Sequence, residues 1–122
     1  MQNMSTINLE EKFNLFSDHW SPKVIAEMND YQFKLVKIQG EFVWHDLSHT
    51  DEVLIVIEGS MSIEFEDRTI TLNAGEMHVV PKGTRHKPYA EQECKVMLVE
   101  PRGVVNTGEA GSDLTAENDV WI

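Results

Sequence analysis

Cysteine is almost missing from this sequence of 122 residues. The one cysteine, Cys94, excludes a disulfide within the chain and with it a scaffold held together by disulfides. Cys94 lies in the alternating run Cys94–Val99, so we expect a buried and chemically inert thiol. A reducing compartment fits this composition, and we expect a cytoplasmic protein.

Long apolar runs and basic residues are also scarce. No stretch approaches the about 20 apolar residues of a membrane-spanning helix, and Met1–Phe16 lacks the apolar run of a targeting signal. The chain has 10 Lys and Arg against 21 Asp and Glu, a formal net charge of −11. Such a chain repels phosphate backbones and anionic membranes, so we expect neither nucleic acid nor a membrane as a partner.

The motifs of several enzyme classes are missing as well. The sequence contains no glycine-rich phosphate loop and no G-x-S-x-G nucleophile elbow. His45 and Asp46 are neighbours whose side chains would point apart on a strand, so they make a poor catalytic triad. The residues themselves therefore favour neither a nucleotide-binding enzyme nor a serine hydrolase.

One short helix is predicted near the start, at about residues 8–17. Leu9, Phe13 and Phe16 recur at i, i+4 and i+7 and form one apolar stripe. Asn8 is a suitable N-cap for this segment. We expect the helix to cover an outer face or an open end of the remaining structure.

The following segments are typical of short strands separated by turns that contain Gly, Pro or Asn. Val53–Ile57 is wholly apolar and fits a buried strand, whereas Met61–Glu66 alternates with a period of two. Cys94–Glu100 fits a further strand that ends before a proline. This spacing predicts an all-β sandwich or barrel with a core at about residues 31–100, in a single domain covering residues 1–122.

The segment after the last strand has a different composition. From Arg102 to Glu117 it is rich in Gly, Thr, Ser, Asp and Glu, and we predict an extended, loosely held tail over residues 102–122. Trp121 and Ile122 are apolar, so they either dock against the barrel or a partner subunit or form a frayed end.

Two groups of residues resemble the motifs of the cupin superfamily. The first group is Gly40, Trp44-His45, Asp51-Glu52 and Gly59, and the second is Gly75, Pro81, Gly83 and His86 at the family's spacing. Ala90 stands where the second motif has an asparagine. The resemblance implies a small cupin barrel, a double-stranded β-helix or jelly roll, of the short single-domain type labelled mannose-6-phosphate isomerase-like.

The resemblance also implies a metal site, because cupins hold a divalent ion with three histidines and one glutamate. Carried over by position, this set becomes His45, Glu52 and His86, with Leu47 at the place of the second histidine. Two imidazoles and one carboxylate still suit Fe, Mn, Ni or Zn. His49 shares the strand parity of His45 and replaces the missing ligand if the loop between them folds back.

Two functions that involve a small-molecule ligand remain open. The first is a metal-binding cupin that acts on or binds a small polar molecule inside the barrel, with isomerase-like or dioxygenase-like chemistry. The second is a non-catalytic cupin that binds a small molecule and has a degenerate metal site, because Leu47 and Ala90 depart from the motifs. Either function takes a small-molecule ligand.

Self-association is a further expectation. Small cupins form dimers by sheet pairing, and the apolar rings of Phe42, Trp44 and Trp121 offer a surface for it. We therefore expect a homodimer, with a purely structural role in self-association as the third possible function.

Overall fold

The computed structural model describes residues 5–122 and consists mainly of antiparallel strands, which confirms the all-β prediction. Helix α1 spans Leu9–Phe13. The strands are β1 (Lys23–Met28), β2 (Tyr31–Glu41), β3 (Glu52–Glu58), β4 (Ser60–Phe65), β5 (Thr69–Asn73), β6 (Met77–Val80) and β7 (His86–Pro101).

Strand β7 organises the fold because it pairs with three other strands. Its second half lies between β2 and β3, and its first half pairs with β4. One layer therefore runs β1-β2-β7-β3-β6, and the β4–β5 hairpin extends the other. Among the described residues the sheet does not close into a complete ring, because β1, β5 and β6 each pair with a single strand.

The main core lies inside the barrel and follows from the period of two along the strands. In β3, Leu54 and Val56 are buried, whereas the alternate residues Val53 and Ile55 face outward and are only partly covered. The same alternation in β7 contributes Cys94, Val96 and Leu98 to the core. Cys94 is free and buried, as the alternating run predicts.

Helix α1 is shorter than the predicted range of about residues 8–17. Its N-cap is as expected, since the side-chain oxygen of Asn8 accepts a hydrogen bond from the Glu11 amide at 3.0 Å. The helix ends at Phe13, and Asn14, a residue that favours caps and turns, serves as its C-cap. No helix within residues 5–122 has the length and apolarity needed to cross a membrane.

The helix packs on the outside of the sheet, as expected. Phe13 is 1% exposed and contacts a second apolar cluster that contains Ile25 of β1 and Leu35 of β2. Strand β2 is therefore covered on both faces, by the main core on one side and by the helix on the other.

The tail over residues 102–122 wraps back onto the barrel rather than lying loose. Asn106 fixes it through side-chain hydrogen bonds to the backbone of Trp20, Leu114 and Ala116. Near its end the tail forms a parallel bridge with β1, in which Trp121 pairs with Val24. Trp121 and Ile122 thus dock against the barrel, one of the two arrangements the sequence left open.

The aromatic surface expected for self-association differs in the structure. Phe42 is only 7% exposed and stacks on Trp20 in the main core, with ring centroids 4.5 Å apart. The ring of Trp44 lies beneath the guanidinium of Arg85, 5.0 Å away. Phe42 is therefore part of the interior, because the chain leaves the strand geometry after β2 and its side chain turns inward.

Candidate metal centre

His45 and His86 lie side by side in the barrel interior. The amide of each donates a hydrogen bond to the carbonyl of the other, at 3.0 and 2.9 Å, so a short antiparallel bridge joins the two backbones. Their ring centroids are 4.3 Å apart. The backbone itself therefore holds the two imidazoles together.

The ring nitrogens of both histidines are oriented by carbonyl groups. Nδ1 of His45 is 3.0 Å from the carbonyl of Val43, and Nδ1 of His86 is 2.9 Å from that of Thr84. Because a carbonyl only accepts, both Nδ1 atoms carry the proton and both Nε2 atoms present a lone pair. Nε2 of His86 is buried without a hydrogen-bond partner. An unsatisfied buried lone pair of this kind fits a metal ligand.

Glu52, the first residue of β3, brings a carboxylate to the histidines. Its Oε1 lies 3.8 Å from Nε2 of His86, which is too long for a hydrogen bond. Two ligand atoms each about 2.1 Å from one ion can be up to about 4.2 Å apart, so a shared ion fits this spacing. Ligand atoms of His45, Glu52 and His86 all lie within 4.8 Å of one another. These three residues could hold a metal.

Two charged residues that the sequence did not single out lie behind Glu52. The carboxyl group of Glu100 is within hydrogen-bonding reach of Glu52, and the ammonium group of Lys34 is 3.5 Å from Glu100. Glu100 is 1% exposed and Lys34 is 2% exposed. The lysine also donates to the carbonyl of Val104 in the tail at 3.2 Å. We call Lys34, His45, Glu52, His86 and Glu100 the polar cluster.

Burial shifts the pKa of all three residues that could hold the metal. It lowers the pKa of His45 to about 4, helped by the nearby His86, and it lowers the pKa of His86 as well. Burial raises the pKa of Glu52 to about 7, against the opposing effects of Glu100 and Lys34. Both imidazoles are therefore neutral at pH 7, the state in which histidine binds metals.

Neither Leu47 nor His49 joins the three candidate ligands. Leu47 is 8% exposed, and its Cδ2 would lie 3.4 Å from a Cβ placed on Gly108 of the tail. Leucine at this position thus packs near the tail. The structure places His49 on the surface, apart from the group that His45, Glu52 and His86 form.

A cavity of about 40 Å³ borders this centre. His45 and Glu52 form its polar side. The rest of the lining is mainly apolar and consists of Trp20, Pro22, Val36, Ile38, Phe42, Leu54, Met61, Pro88, Val96 and Leu98, together with Asn106. The candidate metal centre therefore borders a partly open and mainly apolar space.

Comparison with known proteins agrees with this fold. The cupin domain model matches residues 34–100, more than half of the chain. The chain is 38% identical over 90 residues to the uncharacterised protein YdbB of Bacillus subtilis strain 168, covering 71% of this chain and 74% of that protein.

Two solved structures are similar over most of the chain. A cupin-2 domain containing protein from Shewanella frigidimarina is 66% identical with a TM-score of 0.78, covering 79% of this chain and 94% of that one. Protein NMB1881 from Neisseria meningitidis is 37% identical with a TM-score of 0.74, covering 80% and 99%. The chain belongs to the cupin family, as a small single-domain type.

Proposed function

We propose that this cupin binds a divalent metal ion through His45, Glu52 and His86 and acts on a small molecule held beside it. The observation that carries the proposal is the buried Nε2 of His86, which has no hydrogen-bond partner and lies 3.8 Å from Glu52. Burial makes the ionised form of Glu52 costly even with Lys34 nearby, and a bound cation would offset that cost.

Each residue of the proposed centre has a distinct role. The carbonyls of Val43 and Thr84 hold the imidazoles of His45 and His86 so that both Nε2 atoms point away from the backbone partners. Glu52 adds one negative charge. A bound ion would act there as a Lewis acid or as a template for the substrate. Three protein ligands leave coordination positions for that substrate.

The proposal is tested by metal analysis of protein purified without chelators and then offered Fe(II), Mn(II), Ni(II) and Zn(II). We expect about one ion per chain in the wild type, and loss of the ion in Glu52→Gln and in His86→Ala. His49→Ala is the matched control, because this histidine is exposed and outside the cluster. A wild type that takes up none of the four ions contradicts the proposal.

The proposal includes catalysis, of an isomerase-like or dioxygenase-like kind, rather than binding alone. The cavity that His45 and Glu52 line supports it, because a substrate there would lie next to two of the three proposed ligands. Chelation, Glu52→Gln and His86→Ala should each abolish turnover. Ligand affinity that survives all three changes would instead identify a non-catalytic binding module.

We also propose the homodimer expected from the sequence, but with a different surface. Met77 and Val79 of the edge strand β6 are 54% and 45% exposed, and they pair with Ile55 and Val53 of β3 on the same outer face. A second copy packed on this face would cover these apolar side chains. The expected solution mass is twice 14.0 kDa, with Met77→Lys shifting it to the monomer. A monomeric wild type would contradict the proposed homodimer.

The proposed location is the cytoplasm. Its support is Cys94, a free thiol that is fully buried and whose pKa burial raises to about 11, so it needs no oxidising compartment. Fractionation of the native host cells would test this, and recovery outside the cytoplasmic fraction would contradict it.

A further inference from the structure

The cavity beside the candidate metal centre is chemically one-sided. His45 and Glu52 lie on one side of it. The rest of its lining consists mainly of hydrocarbon side chains, among them Val36, Leu54 and Val96. A ligand in this space therefore meets polar partners at one end only.

The two remaining lining residues that carry polar groups have already used them. Trp20 donates its indole N–H to the carbonyl of Gln39 at 3.1 Å. Both amide hydrogens of Asn106 are donated to backbone carbonyls, at 2.7 and 2.8 Å, and its oxygen accepts an amide hydrogen at 2.9 Å. A ligand hydroxyl pointing away from the centre would therefore find no free N–H donor in these side chains and at most one acceptor position, on the Asn106 oxygen, and burying a poorly paired hydroxyl is costly.

The charges around the centre indicate the head group of the ligand. A divalent ion with Glu52 and two neutral imidazoles leaves one positive charge. The neighbouring pair of Lys34 and Glu100, 3.5 Å apart, contains one ammonium group for its one carboxyl group, so it adds no net negative charge. An anionic head group on the ligand would offset the positive charge of the centre, which is costly in a low-dielectric interior when it is unpaired.

We propose that the ligand is a short acid whose anionic oxygen head binds the metal and whose hydrocarbon body fills the apolar part of the cavity. This inference rests on the proposed metal centre. The volume of about 40 Å³ sets the size. The hydrocarbon body is therefore short. Sugar phosphates fit poorly, because their hydroxyls would be poorly paired.

The inference is tested with the Co(II)-loaded wild-type protein, whose visible absorption reports ligand binding at the metal. The probes are the straight-chain acids from acetate to hexanoate. We expect affinity to rise about fourfold per added methylene, which is the gain for burying one such group. The rise should stop once the cavity is full. An affinity that does not change with chain length overturns the inference.

A matched pair of probes separates apolar from polar recognition. Pentanoate and 4-hydroxybutyrate have the same number of non-hydrogen atoms and differ only in a distal methyl against a hydroxyl. We expect pentanoate to bind about tenfold more tightly, because the hydroxyl would be poorly paired in the lining. Equal affinities, or tighter binding of 4-hydroxybutyrate or of mannose 6-phosphate, overturn the inference.

Two neighbouring valines provide a matched pair of variants. Val56 and Val96 are paired across β3 and β7 and are both buried, but only Val96 lines the cavity. Val96→Leu should weaken pentanoate binding about fivefold or more and leave acetate and cobalt binding unchanged. Val56→Leu should leave pentanoate binding unchanged. If either variant fails to fold, the acid series on the wild type still decides.

The same experiment separates the inference from the function on which it rests. Failure of cobalt to bind, or binding that survives Glu52→Gln, contradicts the proposed metal centre. Cobalt that binds and depends on Glu52, together with a flat series of acids, contradicts the ligand class alone.

Discussion

The barrel interior has two parts that the same strands supply with opposite chemistry. Along β2 the inward position changes from Lys34 to Val36, and along β3 it changes from Glu52 to Leu54. The backbone period of two is the same in both parts. The comparison teaches that an inward position need not be apolar: Lys34 and Glu100 form an ion pair there, whereas Nε2 of His86 has no partner and is available to a ligand.

The largest effect should come from breaking the polar cluster at its only lysine. Lys34→Met leaves Glu52 and Glu100 without the adjacent positive charge, so we expect a loss of about 3 kcal/mol in the free energy of unfolding of the metal-free protein. Urea denaturation measures it. Lys87→Met is the control, because the ion pairs of that lysine with the exposed Glu41 and with Glu64 and its contact with the Trp44 ring lie outside the polar cluster, so its removal should cost less than about 1 kcal/mol. Equal losses of unfolding free energy in both variants would show that Lys34 stabilises the protein no more than a surface lysine does.

A smaller effect follows from neutralising Glu52, and its sign depends on pH. Because the pKa of Glu52 is raised to about 7, the metal-free fold loses stability as the pH rises from the unfolded value of 4.5 through about 7. Glu52→Gln removes this penalty, so we expect a stability gain of about 2 kcal/mol at pH 8 and little gain at pH 5. Thermal unfolding at the two pH values measures the difference.

The metal reverses this prediction. With a saturating ion the wild type gains binding free energy that Glu52→Gln lacks, so the variant becomes the less stable protein. A variant that is more stable than the wild type with and without metal would contradict Glu52 as a ligand.

The smallest effect should come from the tail, where it covers the loop beside the polar cluster. Gly108 has φ +59, and a Cβ there would overlap the carbonyl oxygen of Asp46. We expect Gly108→Ala to cost about 1–2 kcal/mol and to speed hydrogen exchange in the tail. Gly111→Ala is the matched control, since Gly111 has φ +62 but open space around it. Similar exchange in both variants would show that backbone strain, rather than the close approach, sets the effect.

The sequence was informative about the cupin fold and about the three residues that meet in space. His86 stands in a motif whose glycines and proline set the turns around it, and Glu52 begins a wholly apolar strand. Both patterns are formed by residues that are close in sequence, so they can be recognised without knowing which residues they contact in the fold. The backbone bridge between His45 and His86 is not local and was not predicted; the family resemblance implied only that the two side chains share a metal.

Lys34, Glu100 and the tail were missed for physical reasons. Lys34 lies in β2, which is covered on both faces. The residues of this strand therefore show no alternation of apolar and polar side chains that would reveal which of them face the barrel interior. Glu100 does share the parity of Val96 and Leu98, but a glutamate at a strand end is usually solvated. The tail is fixed by side-chain hydrogen bonds of Asn106. Such bonds need no regular spacing of apolar residues, so the sequence contains no pattern that predicts them.

The central position of β7 has a consequence for biosynthesis. Hairpins such as β1–β2 and β4–β5 join strands that leave the ribosome close together, so they can form early. Pairing of β2, β3 and β4 with β7 must wait until nearly the whole barrel has been translated. The last strand made is therefore the one that joins the layers, and it also carries His86 to His45. A nascent chain stalled before it would expose apolar strands and have no place for an ion.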